Sequence, residues 1–233
     1  MSDFERDLTP LMEKLGYTFK DPGLLRRALI HSSYTNGRPG LENNERLEFL
    51  GDSVLGFTAA VYLFQKEKGP EGLLTKLRAA TVCEKALFSY AREIGLGDWL
   101  LLGKGEQRNG GADRPSILSD AFEAVIAAIY LDGGMEPARD FVLPFIEKEA
   151  GNQRRAHFKD YKTRLQEIVQ QNPGEALSYV LVGECGPDHD KQFTMEVHLN
   201  SNVIGVGRAR SKREAEQKAA REALCLMGEE DLA

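Results

Sequence analysis

NNERLEFLGDSVLGFTAAVYLF, residues 43–64, is the stretch on which the fold turns. Asn43 or Asn44 can cap a helix start. Leu47, Leu50, Val54, Phe57, Val61 and Phe64 recur at three- and four-residue spacing and form one apolar stripe. Glu45, Glu48 and Asp52 lie on roughly the opposite face, which then continues as Leu55, Ala59 and Leu63. A helix apolar on two sides is expected to run through the interior of its domain. Its acids should therefore face protein or a groove.

The same anomaly recurs at 117–131, ILSDAFEAVIAAIYL, whose only charges are Asp120 and Glu123 on one helix face. Burying carboxylates on two neighbouring helices is untenable without counter-charge. Neither helix carries bases able to neutralise all four; Arg46 is the only one near, and it points elsewhere on the wheel. Oxygen ligands without histidine or cysteine suit Mg²⁺, with Mn²⁺ able to substitute, better than Zn²⁺. A di-iron bundle would use Glu-x-x-His motifs, and neither helix has a histidine. Metal-assisted phosphoryl hydrolysis fits this donor set.

Outward from these two segments, 8–149 reads as helical, with Gly- or Pro-containing breaks at 36–41, 69–72, 103–115 and 133–137. The polar stretch 151–159 reads as a linker. Beyond it the pattern changes to a helix at 161–171, β-type runs at 177–184, 192–199 and 202–208, and a helix at 212–227 with a small-residue face of Ala215, Ala219, Ala220 and Ala223. The expected organisation is multi-domain: an all-α domain at 1–150, a linker at 151–159, and a small α+β domain of α-β-β-β-α order at 160–228.

Net charge is −6, which argues against nucleic acid only on average. Residues 208–221 hold six bases against two acids, enough for a phosphate-binding footprint or a solvated helix face. Ser211 and Glu214 form an S-x-x-E capping box that puts Lys212 and Arg213 in the first helical turn. The helix dipole disfavours cations there, so an external anion is implied.

Cys83, Cys185 and Cys225 make no C-x-x-C pair and read as reduced packing residues of a cytoplasmic protein. No signal pattern opens the chain, and charges or glycines break the apolar runs short of a membrane span. Three weaker signals are set aside. GKGEQRNGG (103–111) lacks phosphate-loop spacing and reads as a mobile connection. His31, beside Ser32 and Ser33, reads as a hydrogen-bonded packing element. His157 and His198 have no partners in sequence.

ERLEFLGDSVL (45–55), LGYTFKDPGLLRRALIHSSY (15–34) and DAFEAVIAAIYLDGG (120–134) resemble the signature segments of bacterial ribonuclease III, and the likeness spans nearly the whole chain. The resemblance implies an all-α endonuclease domain that dimerises, with Glu48, Asp52, Asp120 and Glu123 as the Mg²⁺-binding catalytic set. It makes Glu45 an acid at the subunit boundary, Glu71 another acid of the catalytic valley, and Phe49 an aromatic that plugs into the partner subunit. It also implies cleavage of double-stranded RNA to 5′-phosphate products with short 3′ overhangs, in the processing of structured precursors of rRNA and mRNA. No organic cofactor or membrane is implied.

GPDHDKQF (186–193) and RSKREAEQKAA (210–220) resemble a double-stranded-RNA-binding domain, which reads A-form shape across minor grooves. By that likeness Gln166, Glu167, Gln170 and His189 reach the grooves, and Ser211, Lys212, Arg213 and Lys218 face phosphates. Glu216 departs from the pattern, since many such domains carry a third base there. The alternatives are a duplex-RNA-binding scaffold with a degenerate nuclease domain, which the intact acids oppose, and a metal-carboxylate oxidoreductase in a helical bundle, which the absent histidines and the appended RNA module oppose.

Overall fold

The computed structural model describes residues 5–158, 160–172, 174–187 and 190–228. Its helices are α1 (Thr9–Leu15), α2 (Pro22–Ala28), α3 (Ser32–Thr35), α4 (Glu45–Lys66), α5 (Glu71–Val82), α6 (Glu84–Glu93), α7 (Lys104–Arg108), α8 (Pro115–Gly133), α9 (Met135–Phe158) and α10 (Tyr161–Val169). Three strands follow, β1 (Leu177–Cys185), β2 (Gln192–Leu199) and β3 (Asn202–Ala209), and then α11 (Lys212–Leu226). Contacts divide the chain into two units at Gln153/Arg154.

Helix α8 is the axis of the first unit. It opens on Pro115, whose fixed φ suits a first helical turn. From Ile117 to Ile129 almost every side chain is buried, Asp120 and Glu123 being the half-buried exceptions. Helices α2, α4 and α6 surround it. Phe122 packs among Tyr90, Phe141 and Phe145 at ring separations of 5.5–5.7 Å. Truncating such a ring to alanine costs about 3–5 kcal/mol. At the far end of α8, Asp132 accepts from Tyr17 Oη at 2.7 Å and from the backbone N–H groups of Lys20 and Asp21 at 2.9 Å each, tying α8 to the start of α2.

Helix α4 is buried on one side only. Leu47, Val54, Leu55, Ala59 and Leu63 pack inward, whereas Phe49, Phe57 and Phe64 are 79%, 61% and 77% exposed. The expected stripe therefore splits: Leu47 and Val54 join the core, while Phe57, Val61 and Phe64 lie on an uncovered face. Two apolar sides on one helix thus need two partners, and a single chain supplies one. Helix α4 is also, among the described residues, the one helix long and apolar enough to cross a membrane, where the sequence reading expected none. Its inward side packs into the core of the first unit, and acids occupy its first half.

Three further expectations are corrected. The stretch 151–158, expected as a linker, continues α9; Gln153, Arg154, Arg155 and Ala156 are good helix formers, and no proline follows Pro144 there to stop them. The connection at 103–111 is ordered, forming α7 and leading into a 3₁₀ turn at Gly111–Asp113. Arg114 pairs with Glu106 at 2.6 Å, and Gly103 N–H donates to Ser33 Oγ at 2.9 Å. All three cysteines are exposed free thiols and do not pack.

In the second unit β1-β2-β3 form an antiparallel sheet covered by α10 and α11. Ala215, Ala219, Ala220 and Ala223 are buried, as the small-residue face requires. Glycines on β3 complete the fit: a Cβ on Gly205 would lie 2.3 Å from the Ala219 carbonyl oxygen, and one on Gly207 2.0 Å from that of Ala215.

Candidate metal centre and nucleic-acid interface

The acids meet where α4 crosses α8. A Cβ on Gly51 would sit 1.9 Å from the carbonyl oxygen of Glu123, so at this point the two backbones touch. Glu48 lies one turn before Gly51, and Asp120 one turn before Glu123. The crossing brings one carboxylate oxygen from each of Glu48, Asp120 and Glu123 within 4.8 Å of the others, all half-buried.

Burial and mutual repulsion dominate their electrostatics. Desolvation pushes the Glu123 carboxyl up to about 8, helped by the charges of Asp52, Glu48 and Asp120. Desolvation likewise raises Glu48, with Asp120, Glu45 and Asp52 adding to it. Asp120 is raised by desolvation and by Glu84, against an opposing pull from His31. Among the described residues none of the three has an ion-pair partner. Three half-buried carboxylates, each raised by desolvation and by neighbouring acids, with oxygens this close, match the donor set of a hard divalent cation.

Asp52 departs from expectation. It is exposed and stands outside the three-oxygen cluster, although its charge acts on Glu123. The four acids are thus three half-buried and one exposed at the rim, Asp52 lying one residue past the Gly51 contact. Glu45 is exposed and acts on Glu48. Glu71 is exposed at the start of α5, accepts from Thr75 Oγ1 at 2.7 Å, and lines a hollow of about 460 Å³ with Phe57, Val61, Phe64, Leu74 and Arg78.

Sequence reasoning missed Glu84, whose field reaches Asp120 from the first turn of α6, where an acid is ordinary. Asn44, expected with Asn43 as a possible side-chain cap, takes another role. This side chain does not cap α4; buried, it donates to the Ala28 carbonyl at 3.3 Å, while Asn43 Oδ1 accepts from Glu45 N–H at 3.3 Å.

The second unit carries the basic surface. Ser211 Oγ accepts from Glu214 N–H at 3.2 Å, half of the expected capping box, and leaves Lys212 and Arg213 exposed in the first turn of α11. The Glu214 carboxylate faces Lys218 Nζ at 3.1 Å, so Lys218 is partly neutralised. Glu216 takes Lys162 Nζ at 2.7 Å, which gives the departure from the basic pattern a structural use between α10 and α11. Gln166, Glu167 and Gln170 lie on the exposed side of α10. His189 falls outside the described residues.

Comparison with known proteins agrees with both halves. Residues 21–150 match the model of the family described as Ribonuclease-III-like, and 161–227 match the double-stranded RNA binding motif. The chain is 51% identical over 228 residues to the Ribonuclease 3 of Pelotomaculum thermopropionicum, covering 96% of this chain and 95% of that one. It is 48% identical over 224 residues to the Ribonuclease 3 of Caldanaerobacter subterraneus subsp. tengcongensis, covering 95% and 98%. Among solved structures, a nuclease domain of ribonuclease III from Campylobacter jejuni superposes with a TM-score of 0.57 at 48% identity, covering 61% of this chain and 98% of that one. That structure is described as showing flexibility in a region involved in dimer formation.

Proposed function

The chain belongs to the ribonuclease III family and is a double-stranded-RNA-specific endoribonuclease, and from that premise we propose that it hydrolyses the phosphodiester bonds of duplex RNA with Mg²⁺, leaving 5′-phosphates and short 3′ overhangs. The observation that carries this reading is the cluster of Glu48, Asp120 and Glu123, drawn together at a backbone contact and without an ion-pair partner among the described residues.

These three carboxylates would hold the cation. A bound Mg²⁺ supplies Lewis acidity toward a phosphoryl oxygen and lowers the pKa of an attacking water. Asp52, exposed and near enough for its charge to act on Glu123, would orient water or substrate at the rim. Half-burial keeps the acids in a low-dielectric setting, where orientation and charge count for more than in open water.

Exposed Phe49, Phe57 and Phe64 support a homodimer in which a second copy covers α4, with Glu45 and Glu71 at its boundary. Gln166 and Glu167 on α10 and Gln170 at its C-cap, with His189, would read the minor groove, and Ser211, Lys212, Arg213 and Lys218 would meet phosphates. In the cell the work assigned is processing of structured rRNA and mRNA precursors in the cytoplasm.

The test is cleavage of a labelled RNA duplex in Mg²⁺, in Mn²⁺ and in EDTA, with the product ends mapped. Cleavage in both metals, none in EDTA, and 5′-phosphate ends with short 3′ overhangs are expected. Cleavage in EDTA, or 5′-hydroxyl ends, would overturn the reading.

A further inference from the structure

The N-terminus of α10 is closed by side chains from two helices. A helix start leaves several backbone N–H groups without an intrahelical acceptor, and a flanking side chain usually reaches one of them. Here Asp160, the N-cap, accepts from Thr163 N–H at 3.3 Å and from Thr163 Oγ1 at 2.9 Å. The N–H of Lys162 is satisfied from α11, donating to Gln217 Oε1 at 3.1 Å. At the other end of the same half-buried amide, Gln217 Nε2 donates to Asp160 Oδ1 at 2.8 Å. The partners fix how the amide is turned, because a carboxylate accepts and a backbone N–H donates.

Neighbours of Gln217 grip the same turn. Glu216 holds the Lys162 ammonium at 2.7 Å, and the Arg221 guanidinium lies 5.8 Å from the centre of the Tyr161 ring. Further along, Leu165 and Val169 pack with Ala219, Ala220 and Ala223. Apolar packing is non-directional and sets how close the helices lie. The paired bonds of Gln217 are directional and set the register of one helix along the other. Gln166 lies one turn past Lys162, and Arg213 one turn before Gln217. The tie therefore stands between the residues assigned to the minor groove and those assigned to phosphates. An A-form duplex presents its minor grooves and the phosphates between them at a fixed separation.

We propose that Gln217 is a positioning residue for duplex-RNA recognition: its amide holds α10 and α11 at the spacing that lets Gln166, Glu167 and Gln170 meet a minor groove while Lys212 and Arg213 meet the neighbouring phosphates. The inference rests on the reading of those residues as the groove and phosphate contacts.

Two substitutions cut the tie from opposite ends. Gln217→Met keeps length and helix propensity and removes both bonds without changing charge. Asp160→Ser keeps an N-cap oxygen for Thr163 N–H but is too short to reach Gln217. The full-length wild type and both variants are titrated in EDTA against an RNA duplex and the DNA duplex of the same sequence. Fluorescence anisotropy over a range of salt gives the affinities, with melting curves alongside. Minor-groove contacts carry the preference for RNA, through its 2′-hydroxyls, and phosphate contacts carry the salt slope. Asp160→Ser also loses an acid, which shifts both affinities together and leaves their ratio as the readout. Both variants should stay folded and lose about tenfold in RNA-over-DNA preference, the scale of one or two hydrogen bonds. Their slopes of log affinity against log salt on RNA should stay within about half a unit of the wild type. A folded Gln217→Met protein with the wild-type preference would overturn the proposal. So would loss of preference and slope together, which would leave Gln217 as part of the fold alone. If Gln217→Met does not fold, a folded Asp160→Ser protein with the wild-type preference overturns it. A wild type with no preference for RNA would instead overturn the minor-groove reading of α10, and this inference with it.

Discussion

Gly51 and Glu123 are in backbone contact: a side-chain carbon on the first would lie 1.9 Å from the carbonyl oxygen of the second. No rotamer relieves such a clash, since a Cβ is fixed by its own backbone and its partner here is main chain. Alanine is better than glycine inside a helix by roughly 0.5–1 kcal/mol. Prising two packed helices apart costs about 1–3 kcal/mol or more and moves Glu48 away from Asp120 and Glu123. Overpacking wins. Gly51→Ala should melt lower and lose most of the Mg²⁺-dependent rise in melting temperature. A variant as stable as the wild type with the same Mg²⁺ response would show that the crossing is not what assembles the site.

A pH dependence follows from Glu123. Its folded-state carboxyl is raised to about 8 from an ordinary 4.5. Between those values the folded protein binds more protons than the unfolded one, so this group's contribution to stability falls as pH rises through the window. Glu48 and Asp120, also raised, act with the same sign. In EDTA the protein should melt higher at about pH 6 than at about pH 8.5. Glu123→Gln should flatten that difference and match or exceed the wild type at the upper pH. A metal-free wild type whose stability rises across the window would contradict the assignment.

The uncovered face of α4 predicts an assembly defect. Phe49 and Phe64 are the most exposed of its aromatics. Phe49→Asp or Phe64→Asp should weaken self-association about thirtyfold or more by analytical ultracentrifugation, the scale of losing an interface anchor. A wild type that sediments as a monomer at micromolar concentration would remove the homodimer.

Basic residues of α11 should differ in weight. Lys212 is exposed and makes no ion pair among the described residues, whereas Lys218 lies against Glu214. Lys212→Ala should lower the slope of log affinity against log salt by roughly one unit on unrelated duplexes. Lys218→Ala should lower it less. Equal slopes for wild type and Lys212→Ala would make this run an ordinary solvated helix face.

Much of this was legible in sequence, for physical reasons that also mark where it stopped. Asp120 and Glu123 stood out because a nearly uncharged helix has nowhere to put a carboxylate, and the structure pairs them with Glu48. Asp52 shares the acid face of α4 by helical spacing, but spacing alone does not locate the crossing, and one residue past Gly51 is enough to leave it exposed. The stripe through Phe57 and Phe64 had the right period and the wrong destination, because periodicity reports that a face is apolar and not which chain covers it. Alanines announced the close face of α11, while Gly205 and Gly207 acquired their meaning only once β3 was seen beneath it. Polar composition suggested a linker at 151–159, although most of those residue types also suit a helix, and α9 continues to Phe158.

The central claim is that the three clustered carboxylates exist to hold the cation that cuts duplex RNA. Glu123→Gln keeps the side chain's volume and removes one anionic ligand. Its single-turnover cleavage rate in Mg²⁺, on a duplex that it is shown to bind, is the most direct measurement. The rate should fall by about three orders of magnitude with duplex affinity retained, because the phosphate contacts lie on other residues. Cleavage at the wild-type rate would contradict the account.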